Sequence, residues 1–148
     1  MVNNREIGNE LSLAGSRNVP DISFRACVPE ETQFGGVEKI IFTKILENAG
    51  QGYDNETGIF TAPFTGTYLF TFYLCQGGNY VDLAIMKNTD VFSWARFFPY
   101  HSSCPNVDFI TTMEPGDTAY VKHISSWDYS VINDRNELST IFSGVLIS

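Results

Sequence analysis

Residues 42–72 read FTKILENAGQGYDNETGIFTAPFTGTYLFTF, and this stretch decides the fold. It sets aromatic residues, one asparagine and one glycine at fixed gaps, and these are Phe42, Asn48, Tyr53, Phe60, Gly66, Tyr68, Phe70 and Phe72. Rings alternate strictly with other residues from Tyr68 to Phe72. Successive side chains of a strand point to opposite faces, so the three rings share one face of one strand. That face has to be buried against a second sheet or a neighbouring subunit.

Short strands bounded by turn residues continue outside this stretch. The predicted strands cover residues 24–28, 59–62, 67–75, 80–87, 91–98, 107–113, 118–124 and 139–147. Residues 39–46 are predicted to be extended, with a short helix as the alternative, and residues 47–58 and 125–138 are predicted loops. Strands at a spacing of about 8–12 residues with turn signals between them are typical of a sandwich or jelly roll.

The composition indicates one acidic, β-rich domain. The chain has 148 residues, with 12 Phe, 7 Tyr and 12 Gly, and this length can bury a core without disulfides or metals. The formal net charge of −8 and the pI of about 4.5 argue against nucleic acid as a partner and against docking on anionic membranes. No apolar run approaches the roughly 20 residues that span a bilayer, so we expect no membrane insertion.

The first 18 residues differ in texture from the rest. We expect a tail or loosely docked arm over residues 1–18 and one globular domain over residues 19–148. Residues 1–6 are polar and no apolar stretch follows them, which is unlike a signal peptide. The chain is then either intracellular or a mature or engineered form. It contains no Gly-X-Y run and hence no collagen stalk.

Three cysteines bear on that choice of compartment. Cys27, Cys75 and Cys104 form no C-x-x-C motif, which argues against zinc. The residues alone leave two alternatives, one disulfide with one buried thiol or three buried thiols.

The row from Phe42 to Phe72 resembles the pattern of the complement C1q globular domain, which sets the same residue types at the same gaps. Two later stretches also resemble that family. They are residues 113–117 (MEPGD) with Tyr120-Val121, and residues 142–146 (FSGVL), which add Phe142 and Gly144 to the structural signature. The likeness runs from about residue 19 to residue 148.

The resemblance implies an all-β fold, a ten-stranded jelly-roll sandwich of two sheets related to the tumour necrosis factor fold. It also implies a compact homotrimer with binding loops at its top and sides. Some relatives bind calcium near the trimer axis, at two positions that correspond to Ala95 and Ser103. Calcium requires several oxygen ligands. Residues 91–107 contain no acidic residue, so we expect this calcium site to be absent, and we expect no other cofactor.

Other acids, such as Asp82, Asp108, Asp128 and Asp134, are scattered, and we expect most of them on the solvated surface. The implied fold pairs the strand that ends at Cys75 with the strand that begins near Cys104. A Cys75–Cys104 disulfide is therefore one hypothesis, with free thiols as its alternative, and it leaves Cys27 as a buried thiol. A disulfide would favour secretion.

Asn55 begins the sequon Asn55-Glu56-Thr57 in a predicted turn and is a candidate glycosylation site. The sequence offers little for catalysis, because His101 and His123 lie in no known catalytic motif, and we expect no enzyme activity. Aromatic and polar loop residues are the candidates for ligand binding. They can stack on sugar rings and bind hydroxyls, and they are Trp127, Asp128, Tyr129, Tyr100 and His101. The alternative is that these aromatics pin their loops or pack the trimer seam.

The resemblance favours a secreted, stalkless recognition protein of innate immunity, similar to single-domain C1q proteins of invertebrates such as molluscs. We expect it to bind carbohydrate or microbial surface ligands as a multivalent, lectin-like trimer. One alternative is a signalling ligand that bridges receptors, as in the adipokine-like and cerebellin-like branches of the family. The other is a structural or storage protein of an extracellular matrix or body fluid.

Overall fold

The structure is a computed structural model that describes residues 18–28, 32–34, 37–74, 81–97, 106–124, 130–132 and 140–148. The described residues contain thirteen strands and no helix. The strands are β1 (Ser23–Cys27), β2 (Thr32–Phe34), β3 (Glu38–Lys39), β4 (Lys44–Ala49), β5 (Tyr53–Asp54), β6 (Ile59–Thr61), β7 (Gly66–Tyr73), β8 (Val81–Lys87), β9 (Asp90–Phe97), β10 (Asn106–Met113), β11 (Thr118–His123), β12 (Ser130–Ile132) and β13 (Ile141–Leu146).

Two antiparallel sheets make the sandwich. One of them, which we call the inner sheet, has five strands in the order β10-β7-β13-β1-β4. The outer sheet has six, in the order β5-β6-β11-β8-β9, with β3 paired to β11. A separate ribbon joins β12 to β2. Every pairing between described strands is antiparallel, and neighbours such as β1 and β13 are distant in the chain.

Aromatic rings fill the space between the sheets. In β7 the buried residues alternate with half-buried ones, and the buried ones are Tyr68, Phe70 and Phe72. Phe24 of the inner sheet stacks on Phe60 of the outer sheet, with ring centroids 5.0 Å apart. All the aromatics of the opening row are buried, and so is Phe142. Burying each such ring stabilises the fold by about 1.5–3 kcal/mol.

Asn48 of that row acts on the backbone. Its side-chain amide donates to the Tyr53 carbonyl at 2.8 Å, and its side-chain oxygen accepts from the Tyr53 N–H at 3.1 Å. The Tyr53 hydroxyl in turn donates to the Phe42 carbonyl at 2.8 Å and accepts from the Phe42 N–H at 3.1 Å. Burial raises the pKa of Tyr53 well above its usual value. The side chains of Asn48 and Tyr53 therefore hold residues 42–53 together by hydrogen bonds that are not part of strand pairing.

Gly144 leaves room for the rings of Phe24 and Phe70. A Cβ at this position would lie 2.5 Å from a Phe24 ring carbon and 2.8 Å from ring carbons of Phe70. Gly66 is constrained as well, because a Cβ there would lie 2.5 Å from the Ser148 carbonyl oxygen. These two glycines are needed for close approach, as glycines within strands often are.

The predicted fold class is confirmed as an all-β sandwich of two antiparallel sheets. Five of the thirteen described strands have only two or three residues, which is why the described strands outnumber the predicted ten. Residues 39–46 contain no helix, and the predicted extended stretch is divided between the end of β3 in the outer sheet and the start of β4 in the inner sheet. Two loop predictions were wrong. The predicted loop 47–58 contains the end of β4 and all of β5, and the predicted loop 125–138 contains β12.

We predict that Gly144→Ala destabilises the domain by about 1–3 kcal/mol, because the added methyl overpacks the Phe24 and Phe70 rings. Urea unfolding at a fixed protein concentration measures this change. Ser143→Ala is the matched control, since Ser143 points to the opposite face of β13 and is half-buried. Equal unfolding midpoints for the two variants would contradict this description of the core.

Candidate functional site

The residues predicted to bind a ligand are not described by the structure. Tyr100, His101, Trp127, Asp128 and Tyr129 all lie outside the described residues. Their role therefore stays a prediction, and the candidate surfaces below come from the strands.

The solvent face of the outer sheet carries one row of aligned side chains. In β11, Tyr120 and Lys122 alternate with the buried Val121 and His123, so they point away from the core. The strand registers place four residues side by side across β3, β11, β8 and β9, and these are Lys39, Lys122, Ala84 and Trp94. We call this set the outer-face row.

Trp94 is the prominent member of the row. It is 58% exposed, whereas Ala84 beside it is fully buried and Met86, next along β8 on the same face, is 4% exposed. The two β8 residues are therefore covered while the Trp94 ring beside them is accessible, and a sugar or another flat group can stack on such a ring.

An ion pair lies next to the row. Asp82 and Arg96 are cross-strand partners, and Nε and Nη2 of Arg96 bind the two carboxylate oxygens of Asp82 at 2.7 and 2.9 Å. Asp82 is an exception to the expectation that most of the scattered acids lie on the solvated surface, because it is buried under this bidentate contact. Asp108 is exposed, as predicted. The arginine charge beside Trp94 is thus neutralised locally.

Neither lysine of the row forms an ion pair with a described carboxylate. The Lys39 ammonium lies 5.8 Å from the centre of the Tyr120 ring. The pKa of Asp54 is lowered mainly by a hydrogen bond from the Glu56 N–H, and the nearby charge of Lys39 adds to this lowering. Among the described residues, no carboxylate forms an ion pair with Lys122. The two lysines thus lie side by side without an ion-pair partner among the described residues, on a chain of net charge −8.

The solvent face of the inner sheet is a second candidate surface. A shallow groove there is lined by residues of β1, β4, β7 and β13, among them Arg25, Glu47, Leu69, Thr71 and Val145. The registers align Val145 with Leu69 and Leu69 with Ile110. Ile110 is 59% exposed, so the inner sheet presents a line of apolar side chains to solvent across β13, β7 and β10. Exposed apolar patches of this kind mark contact surfaces.

The described residues provide no metal site. They contain no group of three or more His, Cys, Asp or Glu side chains that could hold an ion. Of the two positions that correspond to calcium ligands in relatives, Ala95 packs partly buried against the core and Ser103 lies outside the described residues. The expected absence of the calcium site stays a prediction.

For catalysis, His123 points into the core and is fully buried, and His101 lies outside the described residues. In the portion of the chain that the structure covers, no helix is long and apolar enough to cross a membrane.

Asn55 lies in the exposed turn between β5 and β6, where a glycan has room. Its side-chain amide donates to the Thr43 carbonyl at 3.0 Å. An Asn amide has two N–H groups, so glycosylation can leave this contact in place. Modification of Asn55 stays a prediction.

The register of β7 and β10 bears on the disulfide hypothesis. These strands are antiparallel neighbours, with Tyr73 opposite Asn106. Cys75 lies two residues after Tyr73 and Cys104 two residues before Asn106, and both cysteines lie outside the described residues. A register continued by two residues would place them opposite one another. Cys27 is fully buried in β1.

We predict that the oxidised protein contains a Cys75–Cys104 disulfide. Alkylation without reductant followed by peptide mass spectrometry should find residues 75 and 104 in one cross-linked peptide. Cys75→Ser is the informative variant, because it should make Cys104 alkylatable in the unfolded chain while Cys27 is unaffected. Three alkylatable cysteines in the unreduced, unfolded wild type would rule the disulfide out.

Residues of the outer-face row come from four separate strands, so their alignment does not follow from the sequence pattern. One signal was available, because Trp94 and Arg96 alternate within a predicted strand and must share a face. The lysines carried no such signal, since the pairing of Lys39 with Lys122 depends on the sheet order.

The fold resembles solved structures of a C1q domain and of TNF-family proteins. The globular domain of zebrafish complement 1qA protein is 20% identical, with a TM-score of 0.69 over 86% of this chain and 98% of that one. Murine APRIL is 12% identical, with a TM-score of 0.61 over 86% and 99% of the two chains. Pika GITRL is 14% identical, with a TM-score of 0.55 over 85% and 96%. At these identities the likeness is one of fold.

Membership of a family rests on the sequence. The chain matches the C1q domain over residues 23–147, which is most of its length and includes both sheets of the sandwich. The resemblance carried by the row from Phe42 to Phe72 is thereby confirmed. This chain belongs to the C1q domain family.

Proposed function

We propose that this chain is a secreted recognition protein of innate immunity that binds carbohydrate or microbial surface ligands as a multivalent homotrimer. Proteins of the C1q family are typically extracellular, and C1q and TNF-like domains typically form trimers. A compact domain of this kind is compatible with a multivalent ligand or recognition role.

The observation that carries the proposal is the exposure of large apolar side chains on the solvent faces of both sheets. Trp94 on the outer sheet and Ile110 on the inner sheet are each more than half exposed, although the core between the sheets is closely filled. Such side chains gain free energy when a partner covers them. Surfaces of this kind suit binding better than catalysis, which calls for a cleft with convergent reactive groups.

The two surfaces support different parts of the proposal. The inner-sheet face combines the apolar alignment of Val145, Leu69 and Ile110 with the charged pair Arg25 and Glu47, which are cross-strand neighbours. Apolar cores with a polar rim are typical of subunit interfaces. We assign this face to contact between copies of the chain and the outer sheet to ligand contact.

Trimerisation would give weak sites a useful affinity. Sites held on one rigid assembly bind a repetitive surface together, and such linkage raises apparent affinity by about 10²–10⁴-fold without any new contact. Microbial and cell-surface glycans are repetitive in this way. A monomer with the same site would bind them weakly and release them quickly.

We predict that the wild type sediments as a trimer at micromolar concentration and that Ile110→Lys sediments as a monomer. A lysine charge in an apolar contact loses its hydration without gaining a partner, and this costs several kcal/mol. Val37→Lys is the matched control, because Val37 is equally exposed but lies before β3, away from the inner-sheet face.

A glycan array probed with labelled wild type and with Ile110→Lys tests the recognition part. We expect the wild type to retain glycans that the monomeric variant releases. A monomeric wild type would overturn the trimer. Silence on all glycans together with tight binding to a cell-surface receptor would overturn carbohydrate recognition and favour a receptor-bridging ligand.

A further inference from the structure

We propose that the outer-face row is a binding site for a carboxylated sugar, with Trp94 stacking on the sugar ring and Lys122 and Lys39 binding its carboxylate. This inference rests on the proposed recognition function and names the ligand class and the residues. It differs from the loop sites that the sequence favoured, because every member of the row lies on a strand.

The lysine pair breaks a rule of sheet stability. Lys39 and Lys122 are direct cross-strand partners, and like charges in directly opposed positions destabilise a sheet. The chain has 17 Asp and Glu against 9 Lys and Arg, so an acidic partner for either lysine was readily available. A local conflict of this kind is expected where function requires it, and here it concentrates positive charge that an anionic ligand can neutralise.

The tryptophan supplies the second, independent observation. Trp94 is 58% exposed in the same row as the lysines, although large aromatic side chains usually find cover. Trp94 and Lys122 flank Ala84, so their strands are separated by two strand spacings, about 10 Å. Long side chains can reach over that gap to the two ends of a mono- or disaccharide.

The neighbours of the row define what fits. The charge of Arg96 is matched by Asp82 at 2.7 Å, so the cations of this face without an ion-pair partner among the described residues are the two lysines, away from the indole. Ala84 and Met86, which lie on this face between the two ends of the row, are buried, so neither offers an exposed apolar side chain to a ligand. A flat ring with an apolar face at one end and a carboxylate at the other satisfies both halves. Neutral sugars would use only the Trp94 half.

A titration followed by ¹H–¹⁵N NMR tests the proposal, with trigalacturonate as the carboxylated probe and its fully methyl-esterified form as the neutral one. We expect the ester to bind at least about fivefold more weakly, since it loses the contacts of the lysine charges. Binding of trigalacturonate should weaken as salt rises, whereas binding of the ester should not.

Three variants locate the site. Lys122→Gln should weaken trigalacturonate binding by about three- to tenfold and leave ester binding unchanged. Lys122→Arg should retain binding, and Trp94→Ala should weaken the binding of both probes. The controls are Lys44→Gln, which removes the same charge from β4 on the other sheet, and Phe64→Ala, which removes another exposed ring. Both should bind as the wild type does.

The outcomes separate this inference from the proposed function. If the wild type binds glycans and Lys122→Gln and Trp94→Ala bind them equally well, the outer-face row is not the site and glycan recognition stands. If trigalacturonate and its ester bind equally, the carboxylate has no role and the inference is overturned. If the wild type binds neither probe nor any glycan on an array, both the inference and the carbohydrate function fail.

Discussion

Burial of one cluster of aromatic rings between two antiparallel sheets is the interaction on which the rest of this structure depends. Phe24 is its hub, because its ring contacts Tyr53 and Phe60 of the outer sheet and Phe142 and Phe70 of the inner sheet. The centroids of Phe24 and Tyr53 are 4.8 Å apart and those of Phe24 and Phe142 are 4.9 Å apart, distances at which rings attract one another beyond simple burial.

That cluster constrains residues that are not aromatic. Gly144 lacks a side chain because the Phe24 and Phe70 rings occupy the space where its Cβ would lie. The Asn48 side chain binds the main chain of Tyr53, and the Tyr53 hydroxyl binds the main chain of Phe42, so the N–H and C=O groups of both residues are hydrogen-bonded. The spacing of the residues from Phe42 to Phe72 therefore reflects both the packing of the rings and the hydrogen bonds that hold the main chain. Because these side chains are buried in the core, the proposed recognition role depends on residues outside it, such as those on the solvent faces of the sheets.

The sequence predicted the core better than the surface for a physical reason. Alternation within one strand is local, so the burial of Tyr68, Phe70 and Phe72 follows from their spacing alone. The outer-face row depends on which strands become neighbours, and Lys39 meets Lys122 only because β3 pairs with β11. The burial of Asp82 could not be predicted for the same reason, since its partner Arg96 lies across the β8–β9 pair. The short strand β12 was missed because three residues carry too little periodic signal.

The central claim is that the ring cluster joins the two sheets, and the free energy of unfolding of Phe24→Ala tests it most directly. Phe24 is 1% exposed and contacts rings from both sheets, so its truncation should cost about 3–5 kcal/mol at a fixed protein concentration. Trp94→Ala, which removes an exposed ring, should cost less than about 1 kcal/mol in the same experiment. A loss below about 1 kcal/mol for Phe24→Ala, or equal losses for the two variants, would contradict the account.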